Sequence, residues 1–371
     1  MTPPALLHIC LSQGWGGLEM YPIHTGKGML GHGWRVFGLA LRGSQVATGM
    51  REAGIEVLEV GSRAEALLRL PLLLRWLRQR EIGVVHCHKS GDLLLAALLK
   101  SWHPLRLIFT EHMGVRRPKR DWLHRWIYGK VDLVLSISDE TLRRNRIALP
   151  LPAERFRRLW LGTELQGCSE PAAAIRRELG LPDGPLIGMV GRFSRAKGQR
   201  ELLEAFILLL ARYPTAQLLL VGGKLATEGA NEPFVAELQA FIDEHQLAER
   251  VHLTGFRRDT RRLLQAMDVV VIPSHNEAFG LTVIEAMAAG KPIVGADSGA
   301  IPEVLGEAGL LANVFDPAAL AQQIVRVLDD PELAASLQAQ ARLRAEQEFG
   351  LAAHLTRLAR CYLDPCDPPP L

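Results

Sequence analysis

The chain has 371 residues, 48% of them hydrophobic and 22% charged, with a formal net charge of +3. That length exceeds one ordinary domain and suits two of roughly 150–200 residues each, and a composition without low-complexity tracts excludes a disordered or fibrous protein. The charge is unevenly spread: through Leu165 there are 24 Lys and Arg against 14 Asp and Glu, and beyond it 19 against 26, which suits the first half to an anionic partner.

Short apolar runs alternate with longer amphipathic stretches along the chain. "ALLHICL", "WRVFGLAL", "VVHCH", "LRLIFTEH" and "VDLVLSIS" are predicted strands of the first half. "LIGMVGR", "AQLLLVGG", "RVHLTGF", "VVVIPS" and "KPIVGA" are those of the second. Apolar strands separated by helical segments predict parallel sheets covered on both faces, hence two doubly wound α/β domains. The breaks are placed so that 1–165 forms an N-terminal Rossmann-like domain and 166–345 a second. Residues 346–371 then hold a helix, "EFGLAAHLTRLARCYL", and a frayed proline-rich tail. Ligands of such sheets bind beyond the carboxyl ends of the strands, so a central cleft faced by both domains is expected.

The five cysteines have no metal-ligand spacing and read as reduced thiols of a cytoplasmic protein. The first residues lack a basic leader and do not form a signal peptide. "ALLRLPLLLRWLRQR" is broken by Arg69, Pro71 and Arg75, so it does not span a bilayer.

Three motifs follow predicted strands. In "HICLSQGWGGLEM", Gly14, Gly16 and Gly17 let backbone N–H groups approach an anion at a helix start. The spacing is not that of a dinucleotide fingerprint, and the next strand ends in Arg42 instead of a ribose-binding acid. In "GRFSRAKGQ", Arg192 and Lys197 suit a diphosphate, the first as a planar fork and the second as a point charge. In "SHNEAFGLTVIEAMAAGKP", a helix is predicted from Gly280 or Leu281 to near Gly290. The N–H groups of Phe279, Gly280 and Leu281 are then free to meet an anion. Glu277 lies ahead of that helix and Glu285 about one turn inside it; carboxylates accept hydrogen bonds and so pair with sugar hydroxyls. Each motif alone also fits a tight turn, solvated bases or ordinary helix acids.

Together, "GRFSRAKG", "EAFGLTVIE", "GWGGLE" and "SGAIPEVLGEAGLL" resemble the signatures of retaining, family 4 nucleotide-sugar glycosyltransferases of the GT-B fold, over Leu6 to about Tyr362. The resemblance implies that Arg192 and Lys197 bind the donor diphosphate, Glu285 the ribose and Glu277 the transferred sugar. Gly16 and Gly17 would approach the phosphate, and His112 in "FTEHMG" would stand near the sugar, although Glu111 competes for that role. The family's "NG" turn after the boundary strand is replaced by Gly162 and Thr163. His86 and His88 read as packing or polar lining, because a third metal ligand is missing. With no D-x-D motif, neither a metal nor a cofactor is expected; the nucleotide sugar is a substrate.

The function implied is transfer of a hexose from a UDP-linked donor to a cell-envelope glycan such as lipopolysaccharide core. A GDP-mannose-dependent mannosyltransferase of the same fold, a nicotinamide-dependent dehydrogenase and a non-catalytic sugar-binding module stay open. "HMGVRRPKRDWLHRWIYGK" joins Arg116, Arg117, Lys119, Arg120, Arg125 and Lys130 to Trp122, Trp126 and Tyr128. It suits an anionic membrane surface, and so a peripheral place on the inner face of the cytoplasmic membrane. It also fits a core helix with a solvated basic face. Nucleic acid is not expected, since no recognition fold accompanies the charge.

Overall fold

A computed structural model describes residues 3–363, apart from Arg116 and Gln166; the tail predicted to fray lies outside the described residues. Contacts divide the chain into two units, Met1–Gly162 with Leu351–Leu371, and Thr163–Gly350. The sequence placed the breaks after Leu165 and Ala345; the structure has them at Gly162 and Gly350.

In the first unit, β1 (Ala5–Cys10), β2 (Val36–Leu41), β3 (Glu56–Val60), β4 (Ile82–Cys87), β5 (Arg106–Glu111), β6 (Leu133–Ser136) and β7 (Phe156–Arg158) form one sheet. Its order is β3-β2-β1-β4-β5-β6-β7 and every pairing is parallel. Every residue of β1 and of β2 is buried, which is why both read as continuous apolar runs. The exception within β1 is His8, fully buried beside its apolar neighbours.

The second unit holds β8 (Leu186–Val190), β9 (Gln217–Val221), β10 (Val251–Leu253), β11 (Val269–Ile272), β12 (Ile293–Ala296) and β13 (Leu310–Ala312). Their order is β10-β9-β8-β11-β12-β13, again parallel. Chain order reverses between β1 and β4 in one sheet and between β8 and β11 in the other, and the loops beyond these strand pairs are where doubly wound sheets bind ligands.

The predicted C-terminal helix is Leu351–Leu363, and it belongs to the first unit. It lies so close to the helix Gly17–Gly31 that a Cβ on Gly28 would meet Leu355 Cδ1 at 2.3 Å. The Tyr21 hydroxyl lies 3.0 Å from His354 Nε2, and the Tyr362 hydroxyl 2.8 Å from His86 Nδ1.

Candidate active site

In the second unit the loops after β8, β11 and β12 are knitted by their own backbones. The His275 N–H donates to the Ala196 carbonyl (3.0 Å), and the Ala300 N–H to the Glu277 carbonyl (2.9 Å). Ser298 Oγ donates to the Ser274 carbonyl at 3.0 Å. Two glycines permit this closeness. Gly198 has φ +78°, and a Cβ there would meet the Pro273 carbonyl oxygen at 2.0 Å. Gly299 has φ +60°, and its Cβ would lie 2.6 Å from both the nitrogen and the oxygen of Glu277. Left-handed backbone and absent side chain are both required at these positions.

This frame brings Lys197 to Glu277: Nζ donates to Oε2 at 2.5 Å, both side chains being largely buried. Lys197 ends the short 3₁₀ turn Arg195–Lys197. Arg192 is exposed on the same loop, with its carbonyl held by Gln199 Nε2 at 2.8 Å. The helix after β11 runs Leu281–Ala288 from an N-cap at Gly280 (φ +95°), where no side chain caps it. Its first N–H groups have no partner in the helix and present partial positive charge. The ring of Phe279, just ahead of this helix, is buried and meets Phe349 edge-on, with centroids 6.1 Å apart.

Glu285 lies five residues past Gly280, about 7.5 Å along the axis. It lines a cavity of 640 Å³ with Cys168, Glu170, Thr260, Arg261 and Arg262. Burial pushes its carboxyl pKa up, and the nearby Arg261 charge offsets part of that. Cys168 and Arg261 were not legible as neighbours of the site, because neither belongs to a spaced motif.

The first unit holds the remaining predicted residues. His112 follows β5 and is buried against the edge of Tyr21, with centroids 5.1 Å apart. Burial lowers its pKa to about 3, so the imidazole is neutral, and its Nε2 has no hydrogen-bond partner among the described residues. Gly16 caps the helix Gly17–Gly31 without a side-chain hydrogen bond. The folded sheet supplies the third histidine that the spacing of His86 and His88 lacked: ring nitrogens of His8, His86 and His88 lie within 4.8 Å of one another. Four of their six nitrogens have partners, while His8 Nε2 and His88 Nδ1 are buried with no hydrogen-bond partner among the described residues. His8 Nδ1 is 2.9 Å from His88 Nε2, and His86 spends one nitrogen on Tyr362 and the other on Thr110 Oγ1. His86 thereby links β4 and β5 to the C-terminal helix through Thr110 and Tyr362.

Two family models match the chain in tandem: "Glycosyltransferase Family 4" over residues 15–166 and "Glycosyl transferases group 1" over 172–344. The chain is 28% identical to alpha-D-kanosaminyltransferase of Streptomyces kanamyceticus over 82% of its length and 83% of that protein's. It is also 28% identical to the lipopolysaccharide core biosynthesis mannosyltransferase LpcC of Rhizobium leguminosarum bv. viciae, over 76% and 79%. Among solved structures it is similar to Anabaena HepE in complex with UDP, with TM-score 0.84, 23% identity, and 96% and 99% of the two chains covered. The dehydrogenase and binding-module readings fall away, and the chain belongs to the family 4 glycosyltransferases of the GT-B fold.

Proposed function

We propose that this glycosyltransferase moves a hexose from a UDP-linked donor to a cell-envelope glycan such as lipopolysaccharide core, with retention of configuration. The observation that carries the donor reading is the Lys197–Glu277 pair beside an uncapped helix start that leads to Glu285. A nucleoside diphosphate sugar needs cations for its diphosphate and acceptors for its two sets of hydroxyls, and the second unit supplies both. HepE structures hold UDP and UDP-glucose, which favours uridine. The likeness to the mannosyltransferase LpcC favours the second reading, a GDP-mannose donor.

The bond to be broken joins the anomeric carbon to a phosphate oxygen, and the leaving diphosphate takes the electron pair. Arg192, Lys197 and the N–H groups of Gly280 and Leu281 meet the charge that develops there, in a site fixed by the loop hydrogen bonds. Glu277 accepts from hydroxyls of the transferred sugar and shares the Lys197 ammonium with the diphosphate. Glu285 accepts from the ribose. No step requires a metal, because the fixed cations and helix start neutralise the leaving group.

The first unit takes the acceptor. On its helix Trp122–Gly129, Trp122 is 79% and Trp126 36% exposed, while Ile127 and Tyr128 turn inward. Arg117, Arg120 and Arg125 are exposed around them, and Arg116 lies outside the described residues. Among the described residues no helix is long and apolar enough to cross a membrane. An anionic bilayer that holds a glycolipid acceptor suits this surface, at the inner face of the cytoplasmic membrane. Binding to vesicles is expected to rise with anionic lipid and to fall with salt; indifference to both would remove the membrane from this reading.

A panel of sugar nucleotides, scored for slow nucleotide release without acceptor, tests the donor. UDP release from a UDP-hexose is expected. GDP release from GDP-mannose alone establishes the second reading, and release from none overturns both.

A further inference from the structure

The glycine loop after β1 is filled by a carboxylate of its own chain. Glu19, in the first turn of the helix Gly17–Gly31, is 8% exposed. Its Oε1 accepts from Ser12 Oγ at 2.8 Å and from Lys89 Nζ at 3.2 Å. Lys89 Nζ also donates to Ser12 Oγ at 2.8 Å, and the Gly14 N–H donates to the same hydroxyl at 3.1 Å. A Cβ on Gly14 would lie 3.3 Å from Glu19 Oε1, and one on Gly16 3.6 Å from Oε2. The glycines thus leave room for this carboxylate. Its Oε2 has no hydrogen-bond partner among the described residues.

A second pair stands behind the first. Buried Asp92 accepts from the Leu11 N–H at 2.9 Å and from Arg63 Nε at 2.7 Å, and Arg63 donates to the Leu11 carbonyl at 2.7 Å. Two acids face two bases, so the cluster is neutral as a whole. It sits beyond β1 and β4, where the chain order of the sheet reverses and ligands of doubly wound sheets bind.

The geometry points to a sugar-hydroxyl subsite at Glu19 and Lys89, with Glu19 Oε2 accepting a hydroxyl of an uncharged sugar of the acceptor. This rests on the reading of the first unit as the acceptor unit. A carboxylate oxygen is acceptor only, so its partner must be a donor. An ammonium group on the ligand would meet Lys89, and a phosphate would meet Glu19; like charges so placed are disfavoured. A neutral hydroxyl meets neither obstacle.

Ligand-observed NMR on the full chain tests the subsite with three probes: methyl glucoside, methyl glucosaminide and glucose 6-phosphate. In the wild type the neutral probe should bind roughly tenfold more tightly than either charged one. Glu19→Gln leaves Lys89 uncompensated and should move the preference to the phosphate. Lys89→Met should move it to the ammonium. Lys89 is partly exposed, so its variant carries the test if Glu19→Gln does not fold. Ser12→Ala keeps both charges and should keep the wild-type order. The same order in all variants, or no binding of any probe up to about 50 mM, overturns the subsite. Spectra with added UDP report the donor reading separately: UDP binding with an unmoved order defeats this inference alone.

Discussion

Lys197 shows how one side chain can be both tied and available. Its ammonium is held by Glu277 at 2.5 Å in a largely buried setting, and a bound diphosphate would take over part of that interaction. Lys197→Ala removes a fixed cation from the leaving group and leaves Glu277 without its partner. Nucleotide release from the donor is expected to fall by roughly 100-fold or more, with Arg192→Ala behaving likewise and the thermal unfolding of both staying near the wild type. Near-normal turnover in the pair would remove them from the chemistry. Cys168 offers a second reading of the same unit. Cys10, Cys87 and Cys361 are buried, whereas Cys168 is partly exposed and lines the cavity that contains Glu285. With Cys366→Ser to silence the tail thiol, alkylation of Cys168 should slow when UDP is present. An unchanged rate would place the nucleoside elsewhere. Arg192, Lys197, Glu277 and Glu285 were legible in the sequence because each sits in a compact spaced signature. Glu19 and Lys89 were not paired there because they are 70 positions apart, and only the adjacency of β1 and β4 joins them.

At the scale of elements, inner strands announced themselves, and of the edge strands only β10 did, in "RVHLTGF". β3 reads E-V-L-E-V and lies at one edge of its sheet, with glutamates where an inner strand has apolar residues. β7 and β13 are three residues each and close the opposite edge of either sheet, too short for any periodicity to register. The helix Leu281–Ala288 was readable at both ends, since Gly280 begins it and Gly290 follows its last turn with φ +62°. The basic aromatic segment left two readings open, and exposure of Trp122 and Trp126 decides for a surface face. The loops carry their own dependence on glycine. Gly198→Ala would force a side chain into left-handed backbone, at about 1–2 kcal/mol, and into the Pro273 carbonyl as well. Urea unfolding of the second unit, followed by circular dichroism, should show at least that loss. Donor turnover should fall too, because Lys197 and Glu277 are carried by the two loops that are pushed apart.

For the molecule as a whole, acid should act first on the unit with the buried histidines. Burial lowers His8 and His112 to about 3 and His354 to about 4, and holds His86 and His88 well below their ordinary 6.5. The folded unit keeps these rings neutral, while an unfolded chain protonates them below about 6.5. The unfolded state therefore binds more protons, and stability falls as pH drops from about 6.5 towards 4. Asp92 and Glu111 oppose this, since burial raises their carboxyl pKa, but they are fewer than the five imidazoles. All seven tryptophans lie between Trp15 and Trp160, so intrinsic fluorescence follows this unit alone. Its urea midpoint should fall between pH 7 and 5, and a flat midpoint would mean that the imidazoles are not held neutral.

The division of the chain also sets an order of events during synthesis. The second unit is an insertion: the Thr163 N–H donates to the Phe349 carbonyl at 2.9 Å, so its two ends lie side by side. All of its residues have been made by Gly350. The first unit, begun first, still lacks the helix Leu351–Leu363 at that moment, and with it the partners of Tyr21 and His86. The unit begun first is thus the one completed last.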